Sequence, residues 1–290
     1  MSVQPTQEVV EDLYSLLSPC RLCPRDCEVQ RPNGERGYCK IGAEPLVASA
    51  APHYGEEPCL VGSGGSGTIF LGGCNLMCEF CQNYQVSHGA EGSPGGPKQL
   101  ADLMLRLQKR GCENINLVTP SHVVPWLMDA VRRARLDGLD VPIVYNTGGL
   151  DRADTLRMLD GAVDIYMPDF KFWDPDEAKK YCHTPDYPEV ARKALKEMHR
   201  QVGDLEVRDG VARKGLLVRH MVMPNDVAGT REVLDFLAEE VSGDTCVNVM
   251  DQYRPCYRAS EYADIAQRPD RTQVREAREY AEELGLTLAG

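Results

Sequence analysis

The sequence predicts an α/β chain: a partial (β/α)6 TIM-type barrel over residues 67–290, preceded over residues 1–66 by an N-terminal helix, a cysteine-rich metal knuckle and a connecting segment. Three observations carry that expectation. From residue 68 onward, apolar runs alternate with helix-period stretches, the pattern of a parallel sheet covered by helices. The residues that follow those runs are mostly polar or glycine, as at the carboxyl ends of barrel strands, where chemistry collects. Ahead of them, four cysteines fall within twenty residues.

Residues 1–17 are polar and acidic, read as a short helix over 1–18, and lack the charged and apolar regions of an export signal. Cys20, Cys23, Cys27 and Cys39 follow, with Gly34 and Gly37 giving the backbone freedom to wrap closely around an ion. Residues 41–67 contain Pro52, Pro58 and a Gly-Ser run over 62–67, and read as an irregular connection. Strands are expected at 68–71, 115–118, 142–146, 163–168, 215–222 and 246–250. Helices are expected near 98–110, 122–136, 151–160, 187–202, 229–240 and 270–284, with Thr230 as an N-cap.

At 290 residues and 42% hydrophobic, the chain can bury one substantial core. A net charge of -12 opposes a phosphate-neutralising surface, so nucleic acid is not expected as a partner. No run of eighteen apolar residues occurs, so no membrane span is expected, and the reading is of a cytoplasmic protein. Of twelve cysteines, seven fall in tight clusters, which points to reduced thiolates on metal rather than to disulfides.

The loop after the first barrel strand reads Gly72-Gly73-Cys74-Asn75-Leu76-Met77-Cys78-Glu79-Phe80-Cys81-Gln82-Asn83, and can aim three thiolates at one inorganic cluster. A 4Fe-4S cube is usually held by four thiolates, so three leave one iron open for chemistry. A structural zinc or a buried cysteine group is the plainer alternative, although zinc would want a fourth nearby ligand. Cys20, Cys23, Cys27 and Cys39 do provide four, which suits either a closed structural zinc or a second 4Fe-4S cluster. Cys59, Cys112, Cys182, Cys246 and Cys256 lack partner spacing and read as small buried hydrophobes, with Cys256 the exception to watch. His53, His88, His122 and His220 read as structural groups, and His122 is the one that merits a test.

The cysteine spacing of three and then two residues resembles the signature of the radical S-adenosylmethionine superfamily. Other segments, among them Gly65-Ser66-Gly67-Thr68-Ile69-Phe70, Asp164-Ile165-Tyr166-Met167-Pro168-Asp169-Phe170-Lys171 and Met250-Asp251-Gln252-Tyr253-Arg254-Pro255, resemble its branch similar to pyruvate formate-lyase activating enzyme. The resemblance covers nearly the whole chain from Cys20 onward. It implies that Cys74, Cys78 and Cys81 bind three irons of a 4Fe-4S cluster while S-adenosylmethionine chelates the fourth. It further implies reductive cleavage to a 5'-deoxyadenosyl radical that abstracts hydrogen from a substrate, and a flavodoxin- or ferredoxin-type electron donor.

By the same resemblance Phe80 matches a residue placed against adenine. Most members carry a Gly-Gly-Glu element where this chain reads Val118-Thr119-Pro120-Ser121-His122, so Thr119 and Ser121 stand in as amino-group ligands. Asp169, with Lys171 two residues on, matches an aspartate beside the cofactor carboxylate, and the partner of that aspartate is matched by Tyr145 or Asn146. Arg219 matches an arginine facing the cofactor, and Tyr253 corresponds to a histidine that approaches adenine. Two targets compete. A backbone glycine of a glycyl radical enzyme predicts an open barrel mouth. A small molecule or peptide predicts a mouth narrowed by residues 41–67 or 172–190 and a pocket of convergent polar groups. An electron-carrying or structural Fe-S protein would instead show closed four-cysteine ligation and no cofactor pocket.

Overall fold

The computed structural model describes residues 4–289, so residues 1–3 of the predicted first helix lie outside the described residues. The strands are β1 (Leu46–His53), β2 (Ser66–Leu71), β3 (Ser93–Pro94), β4 (Ile115–Val118), β5 (Ile143–Thr147), β6 (Ile165–Pro168), β7 (Glu206–Arg208), β8 (Val211–Met221), β9 (Cys246–Met250) and β10 (Thr287–Leu288). The helices are α1 (Gln7–Ser15), α2 (Pro58–Val61), α3 (Tyr84–Ser87), α4 (Pro97–Lys109), α5 (Val124–Leu136), α6 (Ala153–Arg157), α7 (Pro175–Cys182), α8 (Tyr187–Val202), α9 (Thr230–Phe236) and α10 (Arg271–Glu283). The sheet runs β10-β9-β8-β6-β5-β4-β2-β1-β3, with β7 as the hairpin partner of β8. From β2 through β9 every pairing along this order is parallel, the partial barrel that the alternating pattern predicts.

Alternate residues of each strand face opposite sides. Ile143, Tyr145, Tyr166, Leu216, Val218 and Val247 join the core beneath the covering helices. Val144, Ile165, Met167, Leu217 and Cys246 face the barrel interior, where they form a separate apolar cluster around Leu60 of α2. One step further along their strands, Asn146, Asp169, Arg219 and Asn248 line a cavity. The interior is thus layered, apolar at the amino ends of the strands and polar above.

Residues 41–67 are more ordered than their composition suggests. β1 lies antiparallel on the free edge of β2, and α2 then turns into the barrel. Asn114 donates to the Leu60 carbonyl at 2.8 Å, and Ser66 donates to Asn114 at 2.7 Å, which fixes the plug from below. A Cβ on Gly64 would stand 1.7 Å from the Gly111 carbonyl oxygen, so only glycine permits this return.

The N-terminal segment packs on the same core. Val10 and Leu13 of α1 are buried, and Tyr14 meets Trp126 of α5 edge-on at 5.7 Å. Arg31 is buried over the Trp126 ring and donates to the His122 carbonyl at 2.7 Å. Two local expectations change. Thr230 is the first helical residue rather than the cap, because its hydroxyl is taken by His220 at 3.0 Å and Gly229 holds the left-handed position before it. The unexpected helix α7 starts at Asp174, whose carboxylate caps the backbone amides of Asp176 and Glu177 ahead of Pro175 at the first turn. No helix among the described residues is long and apolar enough to cross a membrane.

Candidate functional site

The cysteine loop begins where β2 ends. A Cβ on Gly73, whose φ is +77°, would lie 2.4 Å from the Cys39 carbonyl oxygen, so the N-terminal cysteine segment presses directly on the loop. Cys74, Cys78 and Cys81 all line one cavity of about 620 Å³. The backbone N–H of Leu76 donates to Cys74 Sγ at 3.3 Å, the Ser87 hydroxyl lies 3.2 Å from Cys81 Sγ, and the Cys182 thiol donates to Cys78 Sγ at 3.3 Å. Burial pushes the Cys74 thiol up to about 12 and raises Cys81 as well. The Cys182 hydrogen bond, and burial after it, carry Cys78 well above its ordinary value. Such thiols keep their protons until a metal displaces them.

Among the described residues, no group of three or more His, Cys, Asp or Glu gathers closely enough for a single metal ion. Three cysteine sulfurs converge on one cavity, and cysteine thiolates are the ligands an iron-sulfur cluster takes. Cys20, Cys23, Cys27 and Cys39 are free thiols, the first, second and fourth of them buried, and burial holds Cys23 up at about 12.

One arginine ties these two cysteine segments together. Arg25 donates to the carbonyls of Asn75 (2.7 Å), Leu76 (3.2 Å), Cys182 (3.0 Å) and His183 (2.9 Å), and its guanidinium lies 3.9 Å from the Tyr38 ring centre. From the other side, the buried carboxylate of Glu79 meets His183 at 2.7 Å and Arg258 at 3.3 Å. The loop is therefore held against the carboxyl end of α7, where Cys182 lies.

The cavity wall opposite carries a charged layer. Asp169 accepts from Arg219 Nε at 2.8 Å and from Lys171 Nζ at 2.5 Å. Arg219 also donates to Asn146 at 2.7 Å and stands 3.9 Å from Glu56, which meets His53 at 3.2 Å. Burial opposes ionisation of Asp169, but Arg219 and Lys171 outweigh it and hold the carboxyl below its usual range. Glu56 goes the other way: burial raises it more than Arg219 lowers it. Glu57 is 6% exposed; Asn248 donates to its Oε1 at 3.0 Å, and its buried Oε2 has no hydrogen-bond partner.

Of the residues expected at a cofactor site, Phe80, Thr119, Asn146, Asp169, Lys171 and Arg219 line the cavity together with the three cysteines. Thr119 does so in the left-handed region, at φ +60°, at the end of β4. Two do not line it. The Ser121 hydroxyl is bound to Thr147 at 2.9 Å in a buried network with Asp151, so it is not available as an amino-group ligand. Tyr253 donates to the Ile265 carbonyl at 2.6 Å and backs Phe80 at 6.1 Å instead of reaching the cavity. Tyr145 points to the core side, its hydroxyl on Asp151 at 2.9 Å, so Asn146 is the one of that pair facing inward. His122 donates from Nε2 to the Gly72 carbonyl at 2.9 Å, and burial holds it down at about 4, a neutral prop beneath the loop. Sequence reasoning missed Cys182, Glu56, Glu57 and Asn248. The adjacent glutamates between Gly55 and Pro58 carried a faint signal, and the other two carried none.

A family model described as the radical SAM superfamily matches residues 68–237. Two uncharacterized proteins of Methanocaldococcus jannaschii are similar in sequence. One is 31% identical over 287 residues, covering 96% of this chain and 79% of that protein. The other is 22% identical over 293 residues, covering 92% and 78%. Among solved structures, a domain of a pyruvate-formate lyase-activating enzyme from Bacteroides vulgatus aligns with a TM-score of 0.40 at 17% identity, over 57% of this chain and 89% of that one. A radical SAM methyltransferase from Sphaerobacter thermophilus aligns with a TM-score of 0.53 at 13% identity, over 77% and 65%, a likeness of fold alone.

Proposed function

This chain belongs to the radical SAM superfamily, which implies a 4Fe-4S cluster and S-adenosylmethionine, and from that premise we propose that it takes hydrogen from a small polar molecule or a peptide segment. The observation that carries the reading is the filling of the barrel interior by residues 53–58. They narrow a cavity of about 620 Å³ lined by convergent polar groups, which cluster, cofactor and substrate must share. A folded partner presenting a backbone glycine is served less well, because β1 and α2 take up room that its loop would need.

When bound, the cluster and S-adenosylmethionine supply one-electron cleavage of a sulfonium and, with it, a 5'-deoxyadenosyl radical. The protein's part is orientation and exclusion of water. Cys74, Cys78 and Cys81 supply three thiolates, and Phe80 offers an apolar face beside them. Thr119, Asn146, Asp169 and Lys171 offer polar contacts to the cofactor, and Arg219 orients Asp169 and Asn146 through its two hydrogen bonds. Cys20, Cys23, Cys27 and Cys39 serve as thiolate ligands of a second centre, zinc or iron-sulfur, in the N-terminal segment that packs on the barrel core. A flavodoxin- or ferredoxin-type protein delivers the electron.

Anaerobic reconstitution is expected to give at least one 4Fe-4S cluster by iron and sulfide analysis, and Cys78→Ala is expected to lose it. Reduced, cluster-replete protein with S-adenosylmethionine is expected to release 5'-deoxyadenosine; no release would refute the radical chemistry. A low-molecular-mass fraction of cell extract is expected to speed that release. Stimulation confined to the protein fraction would sink the small-substrate reading.

A further inference from the structure

We propose that the deep end of the cavity is a cation-recognition site, in which Glu57, flanked by Glu56 and oriented by Asn248, receives an ammonium or guanidinium group of the substrate. The assignment rests on the reading of this cavity as a substrate site, and it names the substrate class. Three carboxylates, Glu56, Glu57 and Asp169, and three permanent cations, Lys171, Arg219 and Arg278, line the cavity, with Arg278 donating to the Val249 carbonyl at 3.1 and 3.2 Å. Those cations are already committed. Lys171 is on Asp169, and Arg219 spends Nε on Asp169 and one terminal nitrogen on Asn146, reaching Glu56 only at 3.9 Å. Glu56 also has His53 at 3.2 Å. Glu57 has a single amide donor on one oxygen, and its other oxygen is buried without a partner.

A buried carboxylate left half-satisfied is costly, and a group bound from outside the chain is one way to complete it. A carboxylate accepts a guanidinium in a two-bond fork or an ammonium in a single strong bond, whereas a neutral hydroxyl offers one weaker bond.

The test uses the full chain, reconstituted anaerobically and saturated with S-adenosylmethionine. The probes are butylamine and butylguanidine, against butanol, butyramide and butyrate as uncharged or anionic counterparts, read by thermal shift and calorimetry. The cations are expected to bind saturably and the counterparts not. Glu57→Gln is expected to weaken cation binding roughly tenfold or more, with Glu57→Asp intermediate. Should the Gln variant fail to fold, Asn248→Leu keeps the carboxylate but removes the amide that aims it, and is expected to weaken binding several-fold. Equal binding of neutral probes, or unchanged affinity in these variants, would overturn the proposal. Release of 5'-deoxyadenosine by the wild type, measured without probe in the same samples, separates the two readings. Its absence sinks the radical chemistry, while Glu57-dependent cation binding is scored by itself.

Discussion

Arg219→Met removes the guanidinium that joins Asp169, Asn146 and Glu56 across the cavity. The side chains of Arg219 and Asp169 are 18% and 15% exposed, so water screens the pair only modestly. Charge-assisted hydrogen bonds are worth about 1.5–3 kcal/mol each, and stripping one partner from a buried pair costs about 3–5 kcal/mol. Lys171 stays on Asp169 and His53 stays on Glu56, so neither carboxylate is fully orphaned, and the expected loss is about 3 kcal/mol. Against a total stability of about 5–15 kcal/mol that is a large fraction. Urea unfolding of the metal-free protein, followed by circular dichroism under anaerobic conditions, is expected to show a lowered midpoint at unchanged slope. Because the paired Asp169 is held below its usual range, its contribution is present above the ordinary carboxylate pKa and fades as pH falls through that range, so the gap between variant and wild type narrows in acid. A loss under about 1 kcal/mol at neutral pH would refute the reasoning, since that is the worth of a solvated surface pair.

Other outcomes follow from the same contacts. His122 and His220 are buried and held down at about 4, so as pH falls below 6.5 the unfolded chain takes up protons first, and each histidine is expected to cost about 3 kcal/mol by pH 4. A flat urea midpoint across that window would contradict it. Cys182→Ala removes the thiol donor on Cys78, and with the cluster in place its midpoint potential is expected to fall, with Cys182→Ser restoring it. Potentiometric titration read by electron paramagnetic resonance decides this, and identical potentials would make Cys182 packing alone. Arg25→Ala cuts four carbonyl contacts, so amides in residues 20–39 are expected to exchange with deuterium roughly tenfold faster or more, and unaltered protection would show that the segment is held by other means.

The parallel strands were legible because each is a short apolar run bounded by turn residues, and the three-cysteine loop because its spacing is local. What escaped was set by tertiary contact. Residues 53–58 read as part of the irregular connection over 41–67, since only the adjacent glutamates of Gly55-Glu56-Glu57-Pro58 hint that the barrel would enclose them. Cys182 meets Cys78 across 104 residues of sequence, which no spacing rule reaches. Ser121 and Tyr253 were placed at the cavity by resemblance to the family's motifs, but each hydroxyl had a nearer partner, Thr147 and the Ile265 carbonyl. Asn146 could be separated from Tyr145 only once strand parity was fixed by the helices on the far side.

The plug formed by α2 governs traffic. With Leu60 seated among Val144, Ile165 and Leu217, the bottom of the shaft is stopped, and a molecule resting on Glu57 shares its route with whatever docks at the cysteine rim above. A shaft stopped in this way has no through-route along the barrel axis, so an occupant leaves by retracing the path on which it came.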